Sequence, residues 1–522
     1  MEEVGVDYFL DLASRSLLEQ SSGSKSGCKD LTLLPRDMWK LINLRHLDIS
    51  KIAIKEMPMQ LKLQNVVSPT NALKACLSDR EYLEELVLDW NALDTNISEC
   101  QRSLLDNLRP HSNLRSLAIH NYGAKSLPDW VGHYSYSNIV SLQLKNCKLC
   151  PNLPPLGELP SLQHLSIVGF EGVVKVDRGL PVDLPSAVEL EILECPQLEA
   201  SLPKAPFVRK LQLRDCNEVL LKELPTKLEE LKIGGFGALE SFPMGMVAPI
   251  NCLHVLEIEK CMKLELPTHL DFSSLERLLL DDCDSLKSFP LDLFPKLKSI
   301  DIWGCKNLIS FTDSEQHGRD LAILHIAIGY CPNFVSFPKG GIRAPKLSFF
   351  YVANCESLRS LPSKMHILLP SLNVFQIFDC PRVQSFPEGG LTSNVVNMGW
   401  GLQKLPSLKD LRIGGKYEDV VSFPEPGLLP SGLTYLCIDE FPNMKSWDNK
   451  GLQHLTSLQH LRVMNCPKLN CMPEEGLLTS LSVIEIKVCP LLRKQWQSKK
   501  GKERRKIPNV DHILIDDEEY IG

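Results

Sequence analysis

Eleven of the chain's 18 cysteines stand at one recurring position: Cys147, Cys195, Cys216, Cys261, Cys283, Cys305, Cys331, Cys355, Cys380, Cys466 and Cys489. A thiol column of this kind has three chemical uses: ligating a soft metal, closing disulfides, or packing. Metal ligation needs several ligands converging on one point, and here each thiol belongs to a separate copy of one short pattern, so packing is the expected use and no metal is predicted. Copies about 4.8 Å apart would be close enough for disulfides. A reducing compartment keeps them as thiols. The 13 histidines are scattered. His46, His164, His325 and His460 fall on exposed strand positions, where a partner contact and plain solvation are both open readings. The sequence contains no H-E-x-x-H, no G-x-S-x-G, no kinase signature and no phosphate-cradling G-x-x-x-x-G-K-[ST] loop. It is therefore read as a chain that is not an enzyme and has no cofactor.

Thiols spaced this regularly must be positioned by a regular element. The stretch Leu275 to Pro290, LERLLLDDCDSLKSFP, is its clearest copy, with Leu275, Leu278, Leu280, Cys283, Leu286, Phe289 and Pro290 as fixed points. Leu278 and Leu280 are two apart, so on a strand they share one face and the residues beside them share the other. The small thiol three residues on suits the packed corner where the chain leaves the strand. Pro290 lacks an amide hydrogen and fits an irregular return path better than a ladder. One copy encloses no core. Stacked copies do, by pairing short strands in parallel over a shared apolar spine.

The spacing is that of a leucine-rich repeat, L-x-x-L-x-L-x-x-N/C-x-L. The predicted fold is an α/β leucine-rich-repeat solenoid of about 18 repeats, with short parallel strands on a concave face and an irregular or helical convex side. Strand starts are placed at Leu44, Leu83, Leu114, Ile139, Leu162, Ala187, Val208, Leu228, Leu253, Leu275, Leu297, Ile323, Leu347, Leu372, Leu408, Leu433, Leu458 and Leu481. On the predicted concave face, Glu257, Glu259, Asp281 and Asp301 form an acidic strip, and Trp303, Phe349, Tyr351, Phe378 and Tyr435 an aromatic one beyond it. Exposed aromatics have two readings that the sequence leaves open: a partner interface, where such residues are enriched, or mutual packing across strands.

Composition narrows the partners. Hydrophobic residues make up 43% and charged ones 23%, ordinary for a folded soluble protein. A net charge of -7 argues against a general nucleic-acid binder. The acidic start MEEVGVDYFLDL lacks a signal peptide's basic start and apolar run, and no apolar stretch approaches membrane-spanning length. A cytoplasmic location and no membrane association are expected. Asp7 to Gln20 has helical spacing. SPTNALKACLSD and SECQRSLLDNL read as helical connections, and the long gap between Leu372 and Leu408 as an irregular bulge. Trp496, Ile507, Val510, Ile513 and Ile515 are expected to cap the end, with HILID as a last strand, and the basic run RKQWQSKKGKERRK as a solvated loop.

Several stretches carry a more specific resemblance: YFLDLASRSLLEQSS, LPRDMWKLINLRHLDIS, LKLQNVVSPTNALKACLSDREYLEELVLDW, LPPLGELPSLQHLSI and KIPNVDHILIDDEE. They are similar to plant intracellular disease-resistance receptors of the nucleotide-binding, leucine-rich-repeat class, coiled-coil branch. The resemblance implies residues 1–27 as a winged-helix remnant plus linker, 28–492 as the repeat domain and 493–522 as a cap. It further implies a role in plant defence, with a pathogen effector or host protein as partner, and a nucleotide-binding domain in the full-length receptor. The family's ADP/ATP loop and its Met-His-Asp segment have no counterpart here, which reads as a truncated product. An adaptor recruiting a protein substrate to an enzyme complex, and a remnant without its own function, are the alternatives.

Overall fold

The computed structural model describes residues 46–48, 77–90, 98–171, 183–199, 201–242, 250–267, 272–313, 319–383, 402–474, 479–497, 510–516 and 518–521. The helix expected at Asp7 to Gln20, most of SPTNALKACLSD, the bulge before Leu408, Ile507 and most of the basic run lie outside them. The chain forms two compact units: residues 1–236 with 243–253, and residues 237–242 with 254–522.

In the first unit, strands from His46–Asp48 to Glu230–Gly234 pair in parallel, each with the next in sequence. In the second, the leading strand of each repeat, from Val255–Glu259 to His512–Ile515, pairs in parallel with that of the next repeat, and Glu518–Ile521 closes the ladder antiparallel. At each of the 18 expected starts a strand begins two residues after the marked apolar position. The recurrent burial pattern alternates half-buried and buried residues, as a period of two requires. Leu275, Leu278, Leu280, Cys283, Leu286 and Phe289 are all buried.

The column cysteines sit as expected, and none of them is in a disulfide. They also share a contact the pattern did not reveal. Most donate to the carbonyl two residues back, as Cys195 does to Leu193 O at 3.2 Å and Cys466 to Met464 O at 3.1 Å. The residue just before the thiol repeatedly has positive φ, including Asn146, Asp215, Asp282, Asn354, Asp379 and Asn465. This left-handed corner turns the chain out of the strand. Asn and Asp tolerate it best among residues with a Cβ, and their prevalence there is the sequence signal for it. At Gly304 (φ 63°) a Cβ would also strike the Asp282 carboxylate of the previous repeat.

On the return side the expectation for Pro290 needs correction. Ser288–Pro290 is a short strand, paired in parallel with Ser310–Thr312. Pro290 stands on an edge strand of this two-stranded ladder, where a missing amide is tolerated. The second unit's core is also aromatic: Phe289 lies 5.2 Å from both Phe294 and Phe311, and Phe311 5.4 Å from Phe334. In the first unit, the connection read as helical at SECQRSLLDNL is the helix Ser98–Asn107, with Leu104 and Leu105 buried. At the end of the second, Trp496, Val510, Ile513 and Ile515 are buried, and Arg493 pairs with Asp516 at 2.8 Å.

Candidate functional site

Because strand side chains alternate, the first, third and fifth residues of each strand face outward and line up in three rows. In the second unit the fifth-position row brings Glu259 beside Asp281, Asp281 beside Trp303, and Trp303 beside Gly329. It continues through Ala353 to Phe378 and Gly414. The third-position row holds Glu257, Leu279, Asp301, Ala327 and Tyr351. All the sequence-predicted site residues are outward and half-buried.

Three of the five aromatics form one cluster. Trp303 is 5.6 Å from Tyr351, and Tyr351 is 6.2 Å from Phe378, centroid to centroid. Small residues make this possible. A Cβ at Gly329 would meet the Trp303 indole, and one at Gly414 the Phe378 ring, so each ring lies down over a glycine of the following strand. Burial raises the Tyr351 phenol's pKa. Phe349 is elsewhere, in the first-position row, stacked on His325 at 4.5 Å and nearly parallel to it. Tyr435 is elsewhere again, under the Arg412 guanidinium at 4.6 Å and beside His460 at 4.6 Å.

The acidic strip divides too. Asp301 is engaged: its carboxylate takes His325 Nε2 at 3.0 Å and the Ser299 hydroxyl at 3.0 Å. Asp281 is crowded by its own kind. Partial burial first, then the charges of Asp282 and Glu259, raise its pKa, and Lys260 opposes them. Glu257 and Glu259 lie on the neighbouring strand.

Two features of this face went unread in the sequence. Tyr330, 60% exposed at a left-handed corner, has its ring 6.4 Å from Trp303. Its signal is an aromatic where the repeat usually puts Asn, Asp or Gly. Arg412 is held by Asp410 through two hydrogen bonds of 3.0 and 2.9 Å, which raise its pKa. Asp-x-Arg on one strand was the signal there. His460, 3.2 Å from Glu485, has its pKa lowered by burial.

The first unit's face is different. His164 pairs with Glu189 at 3.0 Å, Lys210 with Glu230 at 3.7 Å, and the Ser166 hydroxyl donates to Glu191. These residues line a shallow depression of about 260 Å³. The chain also contains a C-x-x-C spacing, Cys147 to Cys150. Both thiols are buried, and burial raises both, Cys150 to about 12, so neither is poised as a thiolate ligand or nucleophile. Among the described residues no group of His, Cys, Asp and Glu is arranged to hold a metal.

Residues 56–170 match the family model for R13L1/DRL21 leucine-rich repeats. The disease resistance protein At3g14460 of Arabidopsis thaliana is 24% identical over 88% of this chain and 51% of its own length. The RPP13-like disease resistance protein 1 of the same plant is 27% identical over 57% of this chain and 29% of its own. Disease resistance protein RGA2 of Solanum bulbocastanum is 32% identical over 40% and 23%. The chain is a leucine-rich-repeat relative of plant disease-resistance proteins. It spans about half or less of the length of these relatives. Its repeats supply the kind of regular, side-chain-varied surface that serves protein interaction. Among the described residues no helix of this resistance-protein relative is long and apolar enough to cross a membrane.

Proposed function

We propose that the chain is the non-catalytic recognition region of a plant innate-immune receptor, that it binds a protein, and that it does so in the cytoplasm without a nucleotide of its own. The observation that supports a binding face is the Trp303–Tyr351–Phe378 cluster, half-exposed on paired strands and bordered by Asp281 and Glu259. Rings held over glycines are already ordered, so contact with a partner immobilises few new rotors. Large, rigid aromatics of this kind dominate interface energetics, and neighbouring charges mainly set encounter rate.

The pathogen effector or host protein bound would be captured with the full chain, identified, and its affinity remeasured with Trp303→Ala and Tyr351→Ala. Loss of about 2 kcal/mol or more per truncation is expected for variants that keep the parent melting temperature. Parent-like affinity in both would place the contact elsewhere. Saturable ADP or ATP binding by calorimetry would contradict the nucleotide-free part of the reading.

A further inference from the structure

The cysteine column is interrupted in the first unit. In the consecutive repeats starting at Leu162, Ala187, Val208 and Leu228 its position holds Phe170, Cys195, Cys216 and Phe236. Both phenylalanines are buried, so Cys195 and Cys216 form a pair shut off from the rest of the column. Of the eleven column thiols, Cys216 alone is not buried. It sits between exposed Asp215 and half-buried Asn217, whereas the longer run from Cys261 to Cys380 is covered throughout.

Two thiols close a disulfide only where their backbones already lie close. Leu193 and Arg214 are register partners, and one residue further on Glu194 N donates to Arg214 O at 2.8 Å, so the two strands stay together into the corner. Cys195 and Cys216 each stand two residues beyond that register pair. At the usual strand spacing they are about 4.8 Å apart, inside the roughly 4.4–6.8 Å between Cα atoms that a disulfide spans. Their sulfurs also meet. Cys216 Sγ reaches back to within 3.3 Å of Ile192 O in the preceding repeat, its thiol hydrogen-bonds to the Cys195 sulfur, and the Cys195 amide donates to Cys216 Sγ.

The shared hydrogen bond prepares the pair for oxidation. When one proton leaves, the remaining S–H stabilises the neighbouring thiolate, which lowers the pKa of Cys195 against the opposing effect of burial. The proton that stays lies between two sulfurs, so the negative charge is also available at Cys216, the sulfur that solvent reaches.

We propose that Cys195 and Cys216 are an oxidation-sensitive dithiol, which a small hydroperoxide such as hydrogen peroxide converts to a disulfide between adjacent repeats. The Cys216 thiolate attacks one peroxide oxygen, the O–O bond breaks, and the departing oxygen takes a proton and leaves as water. Cys216 is then a sulfenic acid. The Cys195 sulfur displaces its hydroxyl, which leaves as a second water with the Cys195 proton, and the S–S bond forms. Two thiols give up two electrons and the peroxide accepts them. A dithiol reductant reverses the bond by exchange. The link ties the strands Glu189–Leu193 and Lys210–Arg214, whose side chains line the first unit's depression, so their hydrogen exchange should slow on oxidation.

The test exposes the reduced full chain to rising doses of hydrogen peroxide, blocks the remaining thiols under denaturing conditions, and maps a tryptic digest by mass spectrometry. Lys204, Arg209 and Arg214 lie between the two cysteines, so a linked pair of peptides is diagnostic. The Cys195–Cys216 pair should be the first crosslink to appear and should vanish with dithiothreitol. Cys283 with Cys305, and Cys355 with Cys380, share the same sulfur contact but are buried, and should remain thiols at that dose. Cys195→Ser, at an unchanged melting temperature, should leave Cys216 as a sulfenic acid that dimedone labels. Exposed Cys252 reports that the oxidant is active. A dose that oxidises Cys252 without linking Cys195 to Cys216 overturns the proposal. So does equally early crosslinking of the buried pairs, which would mean that access plays no part. The parent map decides the matter by itself if the serine variant loses its fold.

Discussion

The same repeat carries two unlike faces. In the first unit the outward residues are cross-strand ion pairs and hydroxyls, such as His164 with Glu189 and Lys210 with Glu230. In the second, beside pairs such as Arg412 with Asp410, they include an aromatic cluster next to crowded carboxylates. The buried positions hardly differ in character, since Leu211 and Leu213 in one unit do the work of Leu278 and Leu280 in the other. What differs below the surface is the return side, where the second unit stacks phenylalanines in a continuous series and the described first unit sets isolated aromatic pairs such as Trp130 with Tyr136 among leucines. The inward code fixes the ladder, and the outward positions are left to specify what the ladder does.

The largest effect that would sharpen this contrast is in the core. Phe311 touches Phe289, Phe334 and Phe337, so Phe311→Ala removes the centre of that stack. A loss of about 3–5 kcal/mol is expected. Hydrogen exchange should accelerate in the second unit's strands while those of the first stay slow, because repeat stability is summed from near neighbours. Equal acceleration in both would show that they unfold as one.

Next in size is the contrast between faces. Against a captured partner Trp303→Ala should cost about 2 kcal/mol, whereas Lys210→Ala, at an exposed pair, should change affinity by less than about 0.5 kcal/mol. A reversed order would move the binding face to the first unit. Smaller again is thiol chemistry. Cys252, exposed in the first unit, should alkylate well before Cys283 and Cys355, whose thiolates are withheld first by the hydrogen bonds they share with Cys305 and Cys380 and then by burial. Mass mapping that finds Cys283 or Cys355 labelled as early as Cys252 would break the packed-column account.

How far these faces were legible follows from which interactions are local. Strand starts were readable because Leu at fixed spacings is a property of one repeat. The left-handed corners were half-readable, through Asn and Asp before the thiol. Grouping on the face was not, because Trp303 reaches Tyr351 only by leaning across Gly329, a residue of an intervening repeat. Phe349 and Tyr351 both face outward, yet two positions on one strand occupy different rows. It found His325 instead. Tyr435 faces outward too, but its neighbour Arg412 comes from the preceding strand of the ladder.

The smallest expected effect is a pH dependence peculiar to the second unit. Asp281 has its pKa raised above the ordinary aspartate value of 3.8 by burial, with Asp282 and Glu259 adding to it. The folded chain therefore holds this proton more tightly than the unfolded chain does. The associated stability is fully present below the unfolded pKa and is lost as pH rises through the folded one. Asp281→Asn removes that titration without removing the side chain. The variant should be more stable than the parent near neutral pH, and the advantage should shrink as pH falls through the folded pKa and vanish below about 3.9. Urea midpoints of the two proteins between pH 3.5 and 7 measure it. A stability difference that does not vary with pH would mean that Asp281 is not crowded, and the acidic end of the row would lose its special status relative to the ion-paired face of the first unit.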